Sequence, residues 1–226
     1  MATLLQELLS LAATGVMLAT TPLDTAAPHN DADGLLFLAN RQWMVSSAYR
    51  PELRKAEVLG KLSMRPDAAE ALEEMFAACK AEAGVDLEAV SGFRSYSTQS
   101  NIYSKKLKNV GNSKARADEY VARPGASEHQ LGMAMDVGQH GKTGLTSGFA
   151  NTAGGKWLAE HCWEYGFILR YQQEWESVTG YKYEPWHVRY VGKENAAKIY
   201  ADLMPLETYL ILLRQETLMD LVILEK

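Results

Sequence analysis

Five histidines are spread along the 226 residues: His29, His129, His140, His161 and His187. Two stand in polar stretches with acids close by. One stretch is Ser127-Glu128-His129-Gln130-Leu131-Gly132-Met133-Ala134-Met135-Asp136, and the other is Glu184-Pro185-Trp186-His187. Two imidazoles and one carboxylate make the donor set of a catalytic zinc site and leave a fourth position for water. Imidazole and carboxylate suit zinc without a thiolate. A second carboxylate, free of the metal, is needed as proton acceptor. The two stretches together hold that inventory. The H-E-x-x-H helix, with two histidines one turn apart, is absent. His129 and Asp136 are seven residues apart with Gly132 between them, and Pro185 interrupts the second stretch. Donors so spaced belong on strands and turns. Residues three apart on a regular strand face opposite sides, so a turn or bulge at Pro185 has to bring Glu184 and His187 together.

The rest of the chain must position these groups. Its length allows one domain with a sizeable core, or two small ones. Apolar residues make up 47% and charged residues 23%, which excludes disorder, collagen-like repeats and a polytopic membrane protein. The net charge of −5 argues against nucleic acid as a partner. Two cysteines, Cys79 and Cys162, exclude a Cys-rich zinc module and a disulfide framework. Both lie in apolar helical patterns and read as buried free thiols, with a single bridge as the alternative.

Leu4 to Leu18 is apolar but short, carries Gln6 and Glu7, and lacks a basic start. It reads as neither an intact signal peptide nor a membrane span, leaving a trimmed remnant of either or a plain helix. Thr20 to Gly34 has linker chemistry, so residues 1–34 form an apolar segment and linker. From Leu35 the pattern is that of a packed domain. Pro66 to Ala83 predicts a helix that buries Ala68, Leu72, Met75, Phe76, Cys79 and Ala83 and ends at Gly84. Ala89 to Arg94 predicts a strand entering a turn. Ser97 is the expected cap of a helix reaching Lys108, and a second short helix is expected over Ser113 to Ala122. Gly132 to Val137, Phe167 to Tyr171 and Trp186 to Val191 predict strands, with a loop over Gly138 to Asn151. Lys156 to Tyr165, Glu194 to Leu203 and Leu206 to Leu224 predict helices. Without regular βαβ alternation the class is α+β.

Ser127-x-His129-x-x-Gly132-x-Ala134-x-Asp136, followed by Glu184-Pro185-Trp186-His187-x-Arg189-Tyr190-Val191, resembles the D-alanyl-D-alanine carboxypeptidase branch of the LAS zinc metallopeptidases, which includes vancomycin-resistance carboxypeptidases. Ser91-Gly92-Phe93-Arg94-Ser95-Tyr96-x-x-Gln99, Gly166 to Tyr171 and Thr179 to Glu184 match further blocks, from about Leu35 to Leu210. The resemblance implies one zinc ion held by His129, Asp136 and His187. It implies Glu184 as general base and then acid, and Arg94 facing the scissile carbonyl. Ser127 and Gln99 match positions that help hold the peptide end. The implied fold is a small, mostly antiparallel sheet with packed helices, as in D,D-peptidases and hedgehog domains. The zinc peptidase domain is expected over 35–212, and a C-terminal helical tail over 213–226 extends past the family's usual finish. The implied substrate is the C-terminal peptide bond of a peptidoglycan stem peptide, hence work outside the cytoplasmic membrane, in the cell envelope, with secretion or anchoring supplied elsewhere.

Several alternatives stay open at this level. They are an L,D-carboxypeptidase, a D,D-dipeptidase, an endopeptidase of similar fold, and a non-catalytic zinc-containing binding domain of the hedgehog kind. The presence of Glu184 and Arg94 favours an enzyme. Structural readings attach to the other charged groups. Glu128 is expected at the surface, because a strand would point it away from its neighbour. Arg189 reads as a structural ion pair, His161 as a packing residue and His140 as exposed. The apolar stripe in Leu206 to Lys226 is expected to pack against Leu4 to Leu18, within one chain or across a homodimer.

Overall fold

The structure is a computed structural model and describes residues 32–224. A short antiparallel pair, β1 (Arg54–Lys55) and β2 (Ser63–Met64), precedes the long helix α1 (Pro66–Ala83). Strand β3 (Leu87–Ser91) leads into α2 (Tyr96–Asn109) and the short α3 (Lys114–Asp118). A 3-10 turn over Glu128–Leu131 enters β4 (Ala134–Gln139). Helix α4 (Ala153–His161) continues as a 3-10 turn to Tyr165 and reaches β5 (Phe167–Tyr171). The one-turn α5 (Glu176–Thr179), β6 (Glu184–Tyr190), α6 (Lys193–Ala201) and α7 (Leu206–Leu224) complete the order. The main sheet runs β3-β4-β6-β5 with every neighbouring pair antiparallel, in the expected α+β class.

Strand alternation sorts the central pair into a core face and a chemical face. Met135 and Val137 of β4 and Val188 of β6 join Leu72, Met75, Cys79 and Leu158 in the cluster beneath α1 and α4. Each large apolar side chain buried this fully contributes about 1.5–3 kcal/mol. Asp136 and His187 are the residues in between. They face each other directly in the β4–β6 register, next to the Met135–Val188 pair. A second cluster, with Ile168, Ile199, Leu206 and Leu210, docks α6 and the start of α7.

Helix α1 has the expected bounds, with Gly84 left-handed at its end, but Ala83 is exposed, past the last turn that meets the sheet. Ser95, not Ser97, caps α2, accepting from the Thr98 amide. The expected helix over Ser113 to Ala122 stops at Asp118. Asp118 is 4% exposed and gathers the segment beyond. It accepts from Arg123 Nε at 3.0 Å, Arg123 Nη2 at 2.6 Å and Tyr103 Oη at 2.8 Å. Those bonds compete with continued helix. Burial opposes its charge, yet Arg123 and Tyr103 hold its pKa below the ordinary 3.8. A lowered folded-state pKa adds stability above the unfolded value that vanishes as pH falls through the folded one. Asp118→Asn is therefore expected to cost about 1–3 kcal/mol at pH 7 and progressively less below about pH 4. Urea denaturation at both pH values checks this; a pH-independent cost would contradict it.

Cys79 and Cys162 are free, and burial pushes their thiols up to about 11 and about 12. Helix α7 crosses position 212 without a break; Leu206, Tyr209 and Leu210 are buried while Ile211 and Leu212 are exposed. The segment Leu4 to Leu18, its expected packing partner, lies outside the described residues, as does most of the linker with His29.

Candidate metal centre

His129 sits in the 3-10 turn before β4. Two glycines make that placement feasible. Gly132 closes the turn at φ +72°, a left-handed conformation that favours glycine. A side chain at Gly92 would meet the Ser63 carbonyl at 2.8 Å, so only glycine fits this close passage, and the Gly92 carbonyl there accepts from His129 Nδ1 at 2.7 Å. That bond leaves Nε2 of His129 as the lone-pair nitrogen. It lies 3.3 Å from Asp136 Oδ2. It is buried and makes no hydrogen bond, an arrangement that costs free energy unless something binds there.

His187 reaches the same point from β6. Its Nδ1 lies 2.9 Å from Asp136 Oδ1 and 3.9 Å from Glu184 Oε2. Between Leu169 and Tyr171 on β5 the partners on β6 step from Val188 to Glu184. Strand β6 therefore carries two extra residues around Pro185. This bulge swings Glu184 to the face that His187 already occupies.

His129, Asp136 and His187 each offer one donor atom, all within 4.8 Å of one another and all buried. Two ligands of a tetrahedral zinc at about 2.0–2.2 Å stand roughly 3.3–3.6 Å apart. The 3.3 Å separation and the unpartnered Nε2 fit a single ion, and the 2.9 Å contact of His187 with Asp136 is a hydrogen bond that would open by a few tenths of an ångström to admit it.

The electrostatics are uneven. Burial and the Arg94 guanidinium push His129 down to about 4, so it is neutral at pH 7. Burial also opposes charge on His187, but hydrogen bonds to Asp136 and Glu128 outweigh it and hold the group up to about 9. Asp136 stays well below the usual carboxylate range against its burial, held by the two imidazoles. Glu184 is pushed up to about 7, chiefly by burial. A carboxylate poised near neutrality suits reversible proton transfer.

A cleft of about 180 Å³ opens over the cluster, lined by Arg94, Gln99, Ser127, Tyr171, Tyr181 and Trp186 among others. Arg94 is largely buried with its Nε unpartnered, and burial depresses its pKa against the pull of Asp136 and Glu184. Gln99 donates through Nε2 to the Ala122 carbonyl at 2.7 Å, leaving a buried Oε1 without a partner. Ser127 is buried and makes no capping bond. All seven residues singled out from the sequence thus border one cleft. A larger apolar groove of about 430 Å³ along β5, with Trp163, Trp175 and Leu203, contains none of them.

The expectation for Glu128 is corrected. It lies on a turn, not a strand, and is 1% exposed. Arg170 and Arg189 hold its buried carboxyl far below the usual range. Arg189 forms the expected structural ion pair, with Glu128 at 3.3 Å. His161 packs on Trp157, with ring centroids 5.0 Å apart, and His140 is exposed beside Glu88. Sequence reasoning gave no role to Arg170, Tyr171 or Tyr181. An arginine inside the apolar run Phe167–Tyr171 was the available signal, since a buried cation needs a buried partner.

A family model described as VanY, D-alanyl-D-alanine carboxypeptidase, matches residues 61–193. The chain belongs to the VanY D-alanyl-D-alanine carboxypeptidase family. The Bacillus subtilis protein YodJ is 41% identical over 186 residues, covering 78% of this chain and 67% of its own length. Among solved structures, the LdcB LD-carboxypeptidase is 40% identical with a TM-score of 0.73, over 79% of this chain and 86% of that one. A glutamate-to-alanine mutant of the vancomycin-resistance D,D-pentapeptidase VanY, in complex with Zn(II), is 35% identical with a TM-score of 0.66, over 77% of this chain and 98% of that one. The matched stretch of this VanY-family chain contains all three donors, Glu184 and Arg94.

Proposed function

We propose that this chain is a zinc-dependent carboxypeptidase that removes the C-terminal residue of peptidoglycan stem peptides outside the cytoplasmic membrane. The observation that carries the reading is the convergence of three buried donors, one with an orphaned lone pair, with a carboxylate pushed up to about 7 lying 3.9 Å from the donor nitrogen of His187. His129 Nε2, a carboxylate oxygen of Asp136 and His187 Nδ1 would hold the ion. An ion held there would supply Lewis acidity, lowering the pKa of a water toward about 7 and polarising the scissile carbonyl. Glu184 accepts the proton of the attacking water and delivers it to the departing amine. Arg94 faces the carbonyl oxygen as negative charge develops. The free hydroxyl of Ser127 donates to the terminal carboxylate, and the unpaired Oε1 of Gln99 accepts from a substrate N–H. Among the described residues no helix is long and apolar enough to cross a membrane.

Similarity to LdcB favours a second reading, an L,D-carboxypeptidase. Synthetic penta- and tetrapeptide stems and free D-Ala-D-Ala, incubated with the zinc-loaded protein and followed by mass spectrometry, separate the readings. Loss of the terminal D-Ala from pentapeptide, abolished by chelator, is the expected result. Trimming of tetrapeptide alone supports the second reading, and cleavage of the free dipeptide a dipeptidase. No cleavage of any substrate would leave a zinc-binding module and refute the carboxypeptidase. Arg94→Ala is expected to lower kcat by about two orders of magnitude, on the order of 3 kcal/mol for one oxyanion donor. Zinc content should stay unchanged, as read by steady-state kinetics alongside metal analysis.

A further inference from the structure

Glu128 is a buried carboxylate that the proposed reaction leaves without a task. Its two oxygens are divided between different partners. Oε1 accepts from Arg170 Nε at 2.8 Å and lies 3.3 Å from Arg189 Nη1. Oε2 lies 3.4 Å from His187 Nε2. Arg170 is held from its other side. Its Nη1 and Nη2 donate to the two oxygens of Glu207, at 2.9 and 2.7 Å, in the first turn of α7. Arg170 projects from β5 at the step where β6 bulges. A continuous path therefore runs from α7 through Glu207, Arg170 and Glu128 to the imidazole of a metal donor.

A neutral imidazole that coordinates through one nitrogen must carry its hydrogen on the other. A carboxylate accepting from Nε2–H fixes that tautomer and the ring's rotation, leaving the Nδ1 lone pair toward the ion. Taking Glu128 out of water is costly by itself, and two arginines at its other oxygen offset the cost. An apolar side chain would fill the space more cheaply, but it could not orient the ring.

We propose that Glu128 is a positioning residue for the metal centre, that Arg170 keeps its carboxylate in place, and that Glu207 makes the start of α7 part of the site. The inference rests on the reading that His129, Asp136 and His187 bind zinc, and not on the identity of the substrate.

The test uses zinc alone, titrated into the full-length protein against a chelating dye. The variants are Glu128→Gln, Glu128→Asp and Glu207→Gln. Nitrogen NMR of histidine-labelled, zinc-loaded protein reports the His187 tautomer. Glu128→Gln is expected to weaken zinc binding about 10- to 100-fold and to blur the single Nε2–H pattern. It takes the carboxylate from Arg189 and leaves Arg170 with Glu207 alone, which endangers folding. Glu128→Asp keeps the charge and shortens the reach to His187. Glu207→Gln alters the clamp on Arg170 without touching a metal donor. Both should weaken zinc in the same direction, Glu207→Gln by less. Folded Glu128→Asp and Glu207→Gln proteins that bind zinc within twofold of wild type, with the His187 pattern unchanged, would overturn the proposal. Wild-type protein that takes up no zinc would instead refute the metal reading. Zinc uptake without stem-peptide cleavage would refute the proposed function and leave this inference standing.

Discussion

Replacing Glu184 with glutamine is expected to lower kcat on a stem peptide by about 10³-fold or more while one zinc per chain remains bound. General acid–base groups typically contribute 10²–10⁴-fold, and in the proposed reaction one carboxylate serves both proton transfers. Its position supports that double role. Glu184 lies 3.9 Å from His187 Nδ1, at the rim of the donor cluster, and is not one of its three members. Burial pushes its pKa up, and a dication in the adjacent donor set would favour the ionised form that accepts a proton. Glutamine preserves the volume and removes the ability to take a proton. Steady-state kinetics paired with elemental analysis checks both halves. Loss of zinc would make Glu184 a ligand, and a kcat within tenfold of wild type would remove it from proton transfer.

The second large effect belongs to Asp136. Asp136→Asn is expected to weaken zinc binding more than about 100-fold, beyond the range for losing an outer hydrogen-bond partner. The side chain stands opposite His187 across the β4–β6 ladder and contacts both imidazoles. It is also the only negative charge within the donor set. The amide keeps the shape, so the sheet should persist while the site loses its charge complement. Thermal denaturation with and without zinc reads this directly. A ligand that binds only the folded state at 100 times its dissociation constant adds about 2.7 kcal/mol. Wild type should gain that increment and Asp136→Asn should not. An equal zinc-induced rise in both proteins would exclude Asp136 as a donor.

Much of the frame is legible in local patterns. Helix α1 is bounded by Pro66 and Gly84, and strand β5 coincides with its β-rich run, because caps, breakers and periodicity act over a few residues. The donors could be collected from two polar stretches, but their convergence could not. That depends on a cross-strand register pairing residues 136 and 187 and on a bulge around Pro185. Both are long-range consequences of burying Met135, Val137 and Val188 on the opposite face. Glu128 was misplaced because its local context does not reveal whether the chain turns or extends there. Its partners, Arg170 and Arg189, lie 42 and 61 residues away on two other strands. Tyr171 and Tyr181 carry no local signal of a role, and only the assembled cleft brings Tyr171 onto His187 and both into its lining.

Diffraction from crystals of the zinc-loaded protein, with anomalous data collected across the zinc absorption edge, addresses the central claim most directly. The account predicts one anomalous peak per chain, about 2.0–2.2 Å from His129 Nε2, an Asp136 oxygen and His187 Nδ1, with the Glu184 carboxylate near it but outside bonding distance. A peak at any other cluster, or one bonded to Glu184 in place of a histidine, would contradict it.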